Sequence, residues 1–87
     1  MRRRVIVHGS VQGVGFRLSV ARAAEARSLG GWVRNCDDGT VEAVFEGDGQ
    51  GVDALVRYCE YGSRGANVTH VVAVDETPEG LTRFEIL

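Results

Sequence analysis

The sequence predicts an α+β protein: a two-layer sandwich in the order β-α-β-β-α-β, with a four-stranded antiparallel sheet, both helices on one face and a short fifth strand last. Three observations carry this. Residues 5–7 and 68–74 are dominated by β-branched side chains. Two stretches, starting near Phe16 and Val52, repeat apolar residues every three to four positions. Residues 40–46 alternate with a period of two.

Val5, Ile6 and Val7 make the first strand, which ends at Gly9. Residues 9–15 read Gly-Ser-Val-Gln-Gly-Val-Gly, a loop whose backbone needs unusual dihedrals or the close approach of a ligand. From Phe16 the period changes: Phe16, Val20 and Ala23/Ala24 line one helix face, and Gly30-Gly31 is expected to stop that helix. Residues 31–36 form a short strand, and Asp37-Asp38-Gly39 a tight hairpin turn. In the next strand Val41, Ala43 and Phe45 point one way, Glu42, Val44 and Glu46 the other. Asp48 is placed to cap a second helix, whose stripe is Val52, Leu55, Val56 and Cys59 and whose end is near Gly62. After a loop at 63–67 comes the fourth strand, residues 68–74. A turn at Thr77-Pro78-Glu79-Gly80 then leads to a last short strand, residues 82–86.

At 87 residues the chain is expected to be one domain, 1–87. Surface scaling gives it about 5,000 Å² of folded surface, enough for one thin core. Hydrophobic residues make up 44% and Pro is single, which excludes bulk disorder. No apolar run approaches the ~20 residues of a membrane span. The basic start has only three apolar residues before His8 and Gly9, too few for a secretion signal, so the expected location is cytoplasmic, with no membrane partner. All ten basic residues are Arg. Seven lie in residues 1–36 beside one acid, Glu25, so that part is able to face an anion; three lie in residues 37–87 beside eleven acids. A net charge of −2 is unlike that of a nucleic-acid binder. Arg2, Arg3 and Arg4 are read as solubilising a terminus. Cys36 and Cys59 match no zinc pattern and are read as free thiols, although the sequence leaves their pairing open. His8 and His70 each stand alone, without a ligand partner at metal spacing, so no metal or cofactor is expected.

Chemistry concentrates in two places. The amides of Gln12, Gly13, Val14, Gly15 and Phe16 precede or open a helix, where the dipole favours an anion. Arg17 adds a guanidinium fork suited to phosphate oxygens. The loop is neither a P-loop nor a dinucleotide fingerprint, and read alone it also suits a tight turn with a surface arginine. Asn35 ends a strand before a turn. It is either an amide bonding its own backbone or one that holds a water.

Together these residues carry a family resemblance. Gly9-x-Val11-Gln12-Gly13-Val14-Gly15-Phe16-Arg17 resembles the first signature of the acylphosphatases, and Gly31-Trp32-Val33-Arg34-Asn35-x-x-x-Gly39-x-Val41, continuing to Gly47, resembles the second. The likeness extends along nearly the whole chain. It departs at Gly62-Ser63-Arg64-Gly65, where the family often has a Gly-Pro step. The resemblance implies a ferredoxin-like fold and hydrolysis of the carboxyl–phosphate bond of acyl phosphates to a carboxylate and inorganic phosphate. It assigns phosphoryl binding to the loop amides and Arg17, and orientation of the attacking water to Asn35, without metal or phosphoenzyme. A monomer acting on small molecules is expected.

Three other roles suit the same order of elements. An RNA-recognition module would need exposed aromatics on the middle strands, but the first strand has none and aromatics are 7% of the chain. A carbamoyl-phosphate-binding accessory domain of a larger maturation protein would need further domains, and none is expected after Leu87. A non-catalytic ferredoxin-like binding module would not need both Arg17 and Asn35.

Overall fold

The computed structural model describes residues 1–87. Its elements are β1 (Arg2–Ser10), α1 (Phe16–Ala26), β2 (Gly30–Asn35), β3 (Val41–Glu46), α2 (Gly49–Tyr61), β4 (Asn67–Glu76) and β5 (Phe84–Ile86). The five strands form one sheet in the order β4-β1-β3-β2-β5. The fold is the ferredoxin-like α+β sandwich that the sequence predicts: β4, β1, β3 and β2 pair antiparallel. The short fifth strand, β5, pairs parallel to β2, so the five-stranded sheet is mixed. A three-residue strand carries no pattern that encodes its direction; the path of residues 77–83 sets it.

One core fills the space between the helices and one sheet face. Val5 and Val7 of β1, Val33 of β2 and Val41, Ala43 and Phe45 of β3 meet Phe16, Val20 and Ala24 of α1 and Val52, Leu55 and Cys59 of α2. The strand residues are two apart, which puts them on one face. The accessible surface is 4933 Å², close to the scaling expectation.

The opposite face departs from the sequence reading. β3 is buried on both faces, including Glu42, Val44 and Glu46. The cover is arginine. Arg2 is only 4% exposed and binds Glu46 at 2.8 Å and Glu76 at 2.9 Å. Arg4 binds Glu42 at 2.7 Å and Glu76 at 2.6 Å, and its guanidinium lies 5.5 Å from the Trp32 ring centroid. Arg3 reaches the helix side, to Asp53 of α2 and Asp75 of β4, each at 2.7 Å. The three arginines therefore extend β1 to Arg2 and lace it to its neighbours, rather than solubilising a terminus. All three guanidinium heads find carboxylates.

The end of α1 also departs. Gly30 and Gly31 already belong to β2. The helix is closed earlier, by Ser28 N–H to Glu25 C=O at 3.0 Å and Leu29 N–H to Ala24 C=O at 3.0 Å, with Ser28 at φ 56°. This is the Schellman arrangement, with serine where glycine usually stands. Asp48 caps α2 as expected, its carboxylate accepting from the Gly51 amide at 3.0 Å. Both cysteines are free thiols.

Candidate active site

The loop between β1 and α1 is pinned at both ends by side chains sunk in the core, Val11 and Phe16, each 1% exposed. Between them Gly13 and Gly15 take φ 75°. A Cβ on either would meet nothing within 4 Å, so the left-handed backbone, not lack of room, requires glycine there. Gly15 is the N-cap of α1, with no side-chain cap and no acid in the first turn. The first amides of the helix thus have no capping side chain, at the positive end of its dipole.

At that helix start lies a pocket of about 180 Å³. Gly13, Gly15, Phe16 and Arg17 form one wall, and Asn35, from the end of β2, the other. The structure therefore brings Arg17 of α1 and Asn35 of β2, 18 positions apart in sequence, to one pocket. Arg17 makes no ion pair with any carboxylate side chain; its Nη1 donates to the backbone oxygen of Leu87 at 2.8 Å, leaving the rest of the fork open. The Asn35 Oδ1 is buried and has no hydrogen-bond partner in the protein.

Two loop residues named from the sequence do not line the pocket. Val14 packs against the core, of which Phe16 is itself a member. The Gln12 side chain turns away to the hairpin between β2 and β3, its Nε2 donating to Cys36 C=O at 2.7 Å and Thr40 C=O at 3.0 Å. Only its main chain belongs to the loop. That hairpin is braced again by Asp38, whose carboxylate accepts from Thr40 Oγ1 at 2.6 Å and Thr40 N at 3.0 Å. Those two bonds hold the Asp38 carboxyl below the ordinary carboxylate range.

Sequence reading missed the apolar rim of the pocket, Leu18 and Ile86. Leu18 did carry a signal: it is an apolar residue off the α1 stripe and is 47% exposed. Also missed was the meeting of His8 and His70, which pair across β1 and β4 with ring centroids 4.0 Å apart. Arg34 lies on the sheet face away from the helices, bound to Glu42 at 2.7 Å, and takes no part in the pocket.

A glycine-built loop, a helix start without a side-chain cap and an arginine with no carboxylate side-chain partner meet in one pocket on a ferredoxin-like scaffold. A family model described as Acylphosphatase matches residues 3–86, and the chain belongs to that family. Among its relatives, an acylphosphatase of Haloarcula marismortui is 49% identical over 98% of this chain and 93% of its own length. The crystal structure of acylphosphatase from Bacillus subtilis superposes with a TM-score of 0.94 at 41% identity, covering 99% of this chain and 97% of that one. HypF from T. kodakarensis contains a similar unit, with a TM-score of 0.78 at 32% identity over 12% of that chain. The protein is an enzyme that hydrolyses acyl phosphates to a carboxylate and inorganic phosphate.

Proposed function

We propose that Arg17 and the main-chain amides of residues 12–17 bind the phosphoryl group of the acyl phosphate, and that Asn35 positions the attacking water. One observation carries the reading: Asn35, whose amide oxygen has no protein partner, lines the same pocket as Arg17, which pairs with no carboxylate side chain. Such an oxygen accepts a hydrogen bond from a water and directs its lone pair.

The water oxygen attacks phosphorus, the bond from phosphorus to the carboxyl oxygen breaks, and its electron pair leaves with the carboxylate. That leaving group is already stabilised and needs little acid help. Charge spreads over the equatorial oxygens, where the guanidinium and fixed amides match it without reorganising. Arg17 and Asn35 supply the only polar side chains of the pocket wall, and neither takes a proton near neutral pH. The water's proton therefore passes to a phosphate oxygen of the substrate, and Asn35 contributes positioning.

We read the chemistry as independent of metal and cofactor, because donors and charge are already matched to the substrate. We read residues 1–87 as one cytoplasmic, monomeric domain acting on free small molecules, with neither nucleic acid nor a membrane as partner. One continuous core supports the single domain, and no helix is long and apolar enough to cross a membrane.

The test is loss of benzoyl phosphate in the presence of purified protein, with and without chelator. Turnover is expected in both cases. Arg17→Gln is expected to lose about a hundredfold or more of kcat/KM with its circular dichroism unchanged. Near-normal turnover by that variant would sink the proposal.

A further inference from the structure

From the contacts of its side chain we infer that Gln12 is a positioning residue for this reaction, a clamp that sets the distance between the phosphoryl-binding loop and the Asn35 amide. The inference rests on the proposed function and adds to it how the two halves of the site are held in register. The halves sit on strands that do not touch: β3 lies between β1 and β2 in the sheet. Hydrogen-bond register within the sheet therefore fixes the loop after β1 against the end of β2 only indirectly. Gln12 spans that gap. Its Nε2 has two hydrogens and places one on Cys36 C=O, the residue after Asn35, and one on Thr40 C=O, the residue before β3.

Both carbonyls are otherwise half satisfied. Cys36 C=O also accepts from Gly39 N at 3.1 Å, and Thr40 C=O from Cys36 N at 2.9 Å. With Gln12 in place each has two donors, its full capacity. The orientation of the amide is unambiguous, since a flipped Oε1 would face two carbonyl oxygens. Because Gln12 itself is exposed, these bonds bury almost no apolar surface. Their consequence is geometric. A displacement of about 1 Å between water and phosphorus costs up to a hundredfold in rate, while phosphate still binds the loop beside it.

Gln12→Ala and the isosteric Gln12→Glu test this. The latter sets a carboxylate oxygen against the two carbonyls. Both are expected to lower kcat for benzoyl phosphate by about tenfold or more, with the inhibition constant of inorganic phosphate changed by less than about threefold. Thermal midpoints should stay near the wild-type value, and the Asn35 side-chain amide resonance should move. Wild-type kcat in both variants overturns the clamp. Parallel losses in kcat and phosphate affinity overturn it too, because Gln12 would then act in binding. An inactive wild-type protein would overturn the parent reading instead, and the Asn35 resonance would then decide the clamp, an unmoved signal counting against it.

Discussion

Asn35 shows function and stability set against each other in one side chain. No protein donor satisfies the Asn35 Oδ1 at the end of β2, so its hydrogen bond takes an immobilised water, at about 0–2 kcal/mol of entropy. Asn35→Ala removes that cost together with the water-holding oxygen. Its urea midpoint is expected to equal or exceed that of the wild type, while its kcat falls more than its phosphate affinity. A lower midpoint would mean that the amide serves the fold. Cys59 illustrates the reverse, a reactive group silenced by burial. Packed in the core and fully buried, its thiol is pushed up to about 12, so thiolate is scarce at neutral pH. A chromogenic disulfide reagent is expected to titrate one thiol per folded chain, the half-buried Cys36, and two after unfolding.

Among the elements, the end of α1 carries identifiable strain. Ser28 holds a left-handed backbone at φ 56°, where an L side chain costs about 1–2 kcal/mol. Ser28→Gly relieves it, less the extra freedom glycine gains when unfolded. A net stabilisation of about 0.5 kcal/mol is expected from denaturant titration; destabilisation would show that the serine side chain contributes more than the backbone costs. The same position shows where the sequence could be read and where it could not. Helices and strands announced themselves through period, and the loop and Asn35 through contiguous motifs. Gly30-Gly31 reads as the stop signal because glycine is the usual left-handed residue, and a serine in that role carries no local mark. Features that depend on register were equally silent. His8 facing His70, Gln12 reaching Cys36 and Thr40, and Arg2 meeting Glu46 all follow from strand order, which no local pattern states. The parallel pairing of β5 belongs with them.

Across the whole molecule, the face away from the helices is an ionic layer, and it makes stability depend on pH in a definite direction. Burial works to raise the Glu46 carboxyl. The hydrogen bond from Arg2 and those from the Glu79, Gly80 and Leu81 amides outweigh it and hold it below its ordinary 4.5. Glu42 is likewise raised by burial and lowered further by Arg4 and Arg34, while bonds from Arg4 and Arg2 lower Glu76. Each carboxyl is then more acidic folded than unfolded, so the unfolded chain binds more protons as pH falls through this range. The stabilisation is complete above about pH 4.5 and is lost as pH drops through the folded values. Urea titrations are expected to give a plateau from about pH 7 to about pH 5 and a fall below it. Glu46→Gln should sit lower on the plateau by about 2 kcal/mol, because the buried Arg2 loses one charged partner and keeps Glu76, and should fall less steeply in acid. Added salt should change this difference little, since Arg2 and Glu46 are both out of solvent, whereas the exposed end of the Arg3–Asp75 pair is screened. A wild-type protein that gained stability between about pH 5 and about pH 3 would contradict the assigned sign for all three carboxyls at once.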